Sequence, residues 1–396
     1  MNFVFISPNF PTIYSKFVRS LKERGVNVLG IGDTPYHELN DELRWNITEY
    51  YFVNNLSNLS KMIEAVGYFQ SKYGHIDFLE SNNEFWLEQD AILRQWYQID
   101  TGFYPNDMDK IKYKSQMKKC FIFGENKVAR FTLSHDFNEL KAFAEKVGYP
   151  LFAKPDNGVG ASGTFKLNNE EDLFKFANID LGTNYIVEEY IDGDLVSFDG
   201  TVNLEGDVVF CLQEHFPIPI SNVVHDHLDV YYYDSPLIDP ELERLGRKAV
   251  KAFGITKRNF HIEYFRLKKD KKGLGKKGEY IALEANMRSP GGETPELISI
   301  ATNRNYYNIY ADVICFNEIR EPVPEKQYIA VSVSRRDQHH YVNTYEQIFE
   351  KYKDHIVKTG RNSPAFAEAM GDSFFYARFD NIESALKFKN FVLERQ

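Results

Sequence analysis

Leu151 to Leu167 reads LFAKPDNGVGASGTFKL. Three apolar residues lead to Lys154 and Pro155, and Gly158, Gly160, Ser162 and Gly163 follow in close order. Residues with little or no side chain let backbone N–H groups come close to a phosphate. Lys154 stands just before that loop, where its ammonium can meet phosphate oxygens as a point charge. The letters also spell G-x-G-x-x-G from Gly158 to Gly163. A dinucleotide fingerprint of that form follows a strand and opens a helix. Here the loop runs into Thr164-Phe165-Lys166-Leu167, which alternates as a strand does, and a helix start comes only at Asn168-Asn169-Glu170. The stretch therefore predicts a glycine-rich hairpin between two strands, covering a nucleotide from above. A protein kinase uses such a hairpin too, but its lysine follows the loop and H-R-D and D-F-G motifs come later. This lysine precedes the loop, and neither motif is present. An ordinary mobile glycine loop is the bland alternative for this stretch taken alone.

Upstream, short apolar runs alternate with helical periodicity. Phe3–Ile6, Val26–Ile31, Tyr50–Val53 and Ile76–Leu79 read as strands, with helices over 14–24, 38–45, 56–72 and 84–97. That alternation predicts a parallel sheet with helices on its faces. Ligands bind beyond the carboxyl ends of such strands, which makes Ser7–Asn9 and Glu80–Asn83 candidate substrate-facing loops. Caps for the following helices are the alternative for those polar residues. A new unit starts at Asn106-Asp107. A basic amphipathic helix is expected from Asp109-Lys110 to about Phe123, a strand at Val128–Phe131 and a helix at Phe137–Val147.

Downstream, Asn184–Ile191 (NYIVEEYI) reads as a strand, followed by strands at Val196–Thr201 and Asp207–Glu214. Ser221–Tyr233 reads as loop, and its His225, Asp226 and His227 as a satisfied loop cluster rather than a metal site. After a helix at Pro240–Phe253 come FHIEYFRL (Phe260–Leu267) and YIALEA (Tyr280–Ala285), joined by the basic run Lys268–Lys277, read as a solvated hairpin loop. By period two, His261, Glu263 and Phe265 share a face, as do Ala282, Glu284 and Asn286. If both faces point the same way, two carboxylates and an amide oxygen converge, a hard ligand set suited to Mg²⁺ on nucleotide phosphates. A carboxylate amid apolar strand residues is costly unless paired or bound to a cation. Pairing with a lysine or arginine is the alternative. The tail, after a linker at Glu321-Pro322-Val323-Pro324, reads as a small α/β cap.

The 396 residues suffice for two or three domains with proper cores. A net charge of -10 argues against a general nucleic-acid binder. Cys120, Cys211 and Cys315 are far apart and read as reduced thiols of a cytoplasmic protein. The start, MNFVFISPNF, lacks a basic segment and reads as a first strand rather than a signal peptide. No apolar run approaches the roughly 20 residues of a membrane span.

The ordered set is Asp109-Lys110 with Met117-Lys118-Lys119, Lys154-Pro155 with the glycine loop, Val187-Glu188-Glu189-Tyr190-Ile191, Glu263, and Glu284-x-Asn286-x-Arg288. In that order it resembles the ATP-grasp superfamily of carboxylate–amine ligases, in a layout similar to biotin carboxylase, carbamoyl phosphate synthetase halves and L-amino-acid ligases. The resemblance implies an α/β chain with the ATP-grasp fold. It divides the chain into a Rossmann-like parallel-sheet domain (1–105), a lid subdomain with the glycine hairpin (106–192), an antiparallel-sheet core with the metal site (193–320) and a small C-terminal α/β domain (321–396).

The roles it implies are these. Lys110 and Lys154 hold ATP phosphates under a lid of Gly158, Gly160, Ser162 and Gly163. Glu188 and Ile191 lie at the adenine hinge, and Asp194 binds the ribose hydroxyls. Glu263, Glu284 and Asn286 hold one or two Mg²⁺ ions, or Mn²⁺. Arg288 steadies the phosphoryl group or acyl phosphate and, with Lys154, counts as catalytic. The implied partners are small-molecule carboxylate and amine substrates, with no nucleic acid and no membrane, and a homodimer by analogy. No biotinyl-carrier segment or glutaminase domain is visible. A bicarbonate-using carboxylase or carbamoyl phosphate synthetase-like enzyme, and a non-catalytic ATP-binding module, stand as alternatives.

Overall fold

The computed structural model describes residues 1–158, 163–218, 223, 227–362 and 364–396, with 365 and 366 as backbone only. The chain opens with four parallel strands, β1 (Asn2–Ile6), β2 (Asn27–Gly32), β3 (Glu49–Phe52) and β4 (Phe78–Glu80), in the order β3-β2-β1-β4. Both faces of β1 are buried. Phe3 and Phe5 point into one apolar cluster, Val4 and Ile6 into another. That is why the strand reads as a continuous apolar run. At the carboxyl ends of β1 and β4, Ser7 and Asn82 both take φ +53°. Left-handed backbone costs a non-glycine residue about 1–3 kcal/mol, and such residues cluster at ligand sites.

The second sheet is antiparallel and has the order β5-β8-β6-β7, from β5 (Phe131–Thr132), β6 (Leu151–Pro155), β7 (Phe165–Leu167) and β8 (Tyr185–Glu189). Leu151 pairs with Leu167 and Ala153 with Phe165, which is the expected glycine hairpin. Gly160 and Ser162 lie outside the described residues. Helices Phe137–Val147 and Glu170–Ala177 close a small core with Leu151, Ala153, Leu167 and Val187.

The third sheet has eight antiparallel strands. They are β9 (Gly193–Val202), β10 (Val208–Phe216), β11 (Val230–Ser235), β12 (Arg258–Leu267), β13 (Tyr280–Asn286), β14 (Ile329–Arg335), β15 (Ile356–Arg361) and β16 (Ser373–Phe379). Their order is β13-β12-β9-β10-β11-β14-β16-β15. One face is apolar. Phe198, Phe260, Ile262 and Tyr264 pack with the helices Lys114–Phe123 and Pro240–Phe253. A Cβ at Gly246 of the second helix would collide with the Phe198 ring, which explains glycine inside a helix. The other face carries a row of polar residues.

Four local expectations change. The helix expected from Asp109 to Phe123 is two helices, Met108–Lys112 and Lys114–Phe123. The strand expected at Val128–Phe131 shrinks to β5, with Val128 bridging Ala282 alone. The expected loop over 221–233 ends early, because Val230 already pairs with β14. His225 and Asp226 lie outside the described residues. In the tail, β15 and the helix Pro364–Met370 carry no clear periodicity in sequence, and β14, β16 and β15 extend the eight-stranded sheet. Among the described residues no helix is long and apolar enough to cross a membrane.

Candidate active site

β12 and β13 pair so that Glu263 faces Glu284 and His261 faces Asn286. Directly opposed residues of antiparallel strands share a face, so Glu263, Glu284 and Asn286 come together. Glu263 also touches His261, with Oε1 and Nε2 3.0 Å apart. Asn286 is buried and both carboxylates are partly buried. Two carboxylates and an amide oxygen on one surface fit an oxygen-ligated divalent cation.

Three lysines pair with acids here, Lys114 with Glu284 and both Lys118 and Lys154 with Glu188, and two of the three come from the helix restart. Tyr113 leaves the first helix with extended backbone (φ −92°, ψ 119°) and bridges Asn157. The Lys114 N–H then donates to the Asp156 carbonyl at 2.8 Å. Ser115 donates from its backbone N–H and its Oγ to the Asp156 carboxylate, both at 2.7 Å. The end of β6 thus caps the new helix from outside, satisfying N–H groups that a helix start leaves bare. Lys114 and Lys118 are four apart and share one helical side. Lys114 Nζ lies 3.0 Å from Glu284 Oε1 and donates to the Gly158 carbonyl at 2.8 Å. Lys118 Nζ lies 3.0 Å from one oxygen of Glu188, and Lys154 Nζ lies 3.3 Å from the other.

Burial would push the Glu188 carboxyl up, but Lys118 and Lys154 hold it below its ordinary range. Burial lowers Lys118, with Glu188 pulling the other way. Glu284 is raised, first by burial, against the pull of Lys114. Glu263 sits low against burial because His261 faces it. Arg288 reaches across to the first sheet domain, its Nη2 2.9 Å from Glu84 Oε2. Tyr14 lies nearby, donating to the Asn82 carbonyl at 2.5 Å, and burial lifts its hydroxyl to about 12. Arg288, Glu84 and the strained Asn82 therefore meet at one border.

The same sheet face continues inward. Glu263 faces Ser197, Ser197 faces Glu214, and Glu214 faces Asp234. Beside them His261 faces Asp199, with Nδ1 and Oδ1 2.5 Å apart. Asp199, Glu214 and Asp234 are each 0% exposed. Burial drives Glu214 and Asp234 well above the usual carboxyl range; the charge of Asp199 adds to it at Glu214, and those of Glu214 and Asp199 at Asp234.

Other expected site residues fall elsewhere. Lys110 is not in the cluster. Its Nζ pairs with Asp107 at 2.8 Å and lies over the Phe103 ring. Asp194 is half exposed and pairs with Lys268 at 3.0 Å. The basic run folds back on this segment, because Lys269 pairs with Asp192 and Lys271 donates to the Tyr190 carbonyl. Ile191 joins Ala129, Leu267 and Ile281 in an apolar cluster. Gly163 takes φ +71°, and its carbonyl accepts from Tyr185 Oη at 2.9 Å. Sequence reasoning missed Lys114, Lys118, Glu84, Asp199, Glu214 and Asp234 as site residues.

No protein-family model matches the chain. It is 25% identical over 266 residues to the L-arginine-specific L-amino acid ligase of Bacillus subtilis, across 63% of this chain and 60% of that ligase's length. The L-amino acid ligase of Bacillus licheniformis superposes on 98% of this chain and 96% of its own, with a TM-score of 0.67 at 16% identity. The biotin carboxylase domain of the Hydrogenobacter thermophilus 2-oxoglutarate carboxylase superposes on 97% of this chain and 88% of its own, with a TM-score of 0.69 at 16% identity. That domain was solved as a dimer with MgADP and bicarbonate.

Proposed function

The chain has the ATP-grasp fold, and we propose that it is an ATP- and Mg²⁺-dependent ligase that joins a small carboxylate, of the amino-acid class, to an amine. The observation that carries this reading is that Lys114 pairs with Glu284, and Lys118 and Lys154 with Glu188, beside the facing pair Glu263 and Glu284. Without nucleotide, each lysine is held by a carboxylate. With nucleotide, the lysines turn to phosphate oxygens, and Glu263, Glu284 and Asn286 hold Mg²⁺. When bound, Mg²⁺ supplies charge neutralisation across the terminal phosphates.

The chemistry follows from the substrate. A carboxylate is a poor acylating agent because its leaving group would be oxide. One of its oxygens attacks the γ-phosphorus of ATP, the bond from that phosphorus to the β-bridging oxygen breaks, and ADP leaves. The amine lone pair then attacks the acyl carbon, inorganic phosphate departs, and the amine gives up a proton. Positioning and charge stabilisation carry the first step, which is the work assigned to Lys114, Lys118, Lys154 and Arg288. The β6/β7 hairpin excludes water, which would hydrolyse the acyl phosphate. The apolar cluster around Ile191 is assigned to the nucleotide base, and the Arg288–Glu84–Asn82 border to the carboxylate substrate.

The similarity to an L-amino acid ligase supports the amino-acid class. A bicarbonate substrate is the second reading, favoured by the likeness to a domain solved with bicarbonate. ADP release, measured with single and paired amino acids and separately with bicarbonate, decides between them. Release that needs a particular amino-acid pair supports the ligase. Release with bicarbonate alone moves the assignment to carboxylation. ATP binding with no turnover across the panel supports the non-catalytic module.

A further inference from the structure

Beyond the nucleotide-facing pair, the polar row has a second, deeper concentration of charge. Atoms of Asp199, Glu214 and His261 lie within 4.8 Å of one another. Asp199 and His261 are tied to each other and to further neighbours, and Glu214 keeps one oxygen without a partner. Asp199 Oδ2 accepts from Ser197 Oγ at 2.5 Å, which leaves Oδ1 facing His261. Glu214 Oε1 accepts from Thr294 Oγ1 at 3.4 Å, and Glu214 Oε2 has no partner. His261 turns Nε2 to Glu263 and Nδ1 to Asp199. Behind them, Asp234 faces Glu214 across the strand pair, fully buried, with neither carboxylate oxygen hydrogen-bonded. Among the described residues, neither Glu214 nor Asp234 pairs with a lysine or arginine.

We propose that Asp199, Glu214 and His261, backed by Asp234, bind a divalent metal ion of their own, separate from the ions that accompany the nucleotide. Buried carboxylates without a cation are costly; His261 touches Asp199 and Glu263, and a bound cation would offset Glu214 and Asp234, which the imidazole does not touch. Ligation through Nδ1 would replace the present 2.5 Å contact between that nitrogen and Asp199 Oδ1, with the ion taking the place of the proton. A ligating histidine commonly donates its other N–H to a carboxylate, which fixes its tautomer, and Nε2 has Glu263 for that purpose. Two or three carboxylates with one imidazole suit Mn²⁺ or Zn²⁺ better than a site made only for Mg²⁺. Through Glu263 the inner ion would also orient one ligand of the outer site. This inference does not rest on the ligase reading, because it concerns metal binding without nucleotide.

The test is Mn²⁺ binding to the chelator-treated full chain without nucleotide, followed by electron paramagnetic resonance. The wild-type protein is expected to bind one ion that survives Glu284→Gln, with Zn²⁺ competing for it. Glu214→Gln is expected to weaken that ion by about tenfold or more. Asp234→Asn, an isosteric change, gives the same readout if Glu214→Gln does not fold. Wild-type protein that binds no Mn²⁺, or binding that Glu284→Gln abolishes while Glu214→Gln and Asp234→Asn leave it unchanged, overturns the proposal.

Discussion

The two ends of one sheet face handle buried acid in opposite ways. At the outer end, Glu284 meets Lys114, and beside it Lys118 and Lys154 hold Glu188 of the four-stranded sheet. At the inner end, Glu214 and Asp234 meet no ammonium or guanidinium among the described residues, and only His261 stands near. Glu284 and Glu263 lie on the same register line as Glu214 and Asp234 across β13, β12, β9, β10 and β11. In the proposed reading, the outer end exchanges partners when a charged ligand arrives. The inner end keeps its carboxyls neutral or requires a cation of its own.

The largest test of that contrast is stability. Glu188→Gln removes the partner of two buried lysines and is expected to cost about 3–5 kcal/mol, the scale for breaking a buried ion pair. Denaturant unfolding of the nucleotide-free protein measures it, and a loss under about 1 kcal/mol would break the contrast. Next comes turnover. Lys114→Met, which removes the ammonium between Glu284 and the Gly158 carbonyl, is expected to lower ADP release about 10²- to 10³-fold, as when a preorganised charge donor is lost. At the inner end, Glu214→Gln in chelator should change unfolding free energy by no more than about 1 kcal/mol, because the amide replaces a group that burial already keeps neutral. A loss as large as that of Glu188→Gln would mean the two ends are alike. The smallest effect is expected at Lys110. Its ammonium lies on Asp107 outside the cluster, so Lys110→Ala should alter ADP release by less than about twofold, the scale of a surface ion pair.

The contrast also separates what the sequence makes legible from what it does not. Glu263, Glu284 and Asn286 could be found because strand alternation places them on one face, and a single hairpin register brings the faces together. Lys154 could be found because it touches the glycine loop in sequence. Lys114 and Lys118 were hidden by a helix break. Nothing local says that Tyr113 bridges Asn157 and that Asp156 caps the restarted helix, although the four-residue spacing of the two lysines is a usable signal. Asp199, Glu214 and Asp234 were hidden for another reason. Each sits in a strand read without its register, and only the pairing of β9, β10 and β11 puts them in one row. The continuation of the sheet into β14, β16 and β15 is likewise a matter of long-range pairing, which periodicity does not encode.

The central claim is that the lysine-matched end transfers phosphoryl groups to a carboxylate. Its most direct test is Mg²⁺-dependent ADP release with single and paired amino acids, with Glu284→Ala as the blank. Strong release with one amino-acid pair, together with an amide-linked product, is expected, and its loss in the blank. Equal release from wild type and Glu284→Ala, or none with any carboxylate while ATP binds tightly, would contradict it.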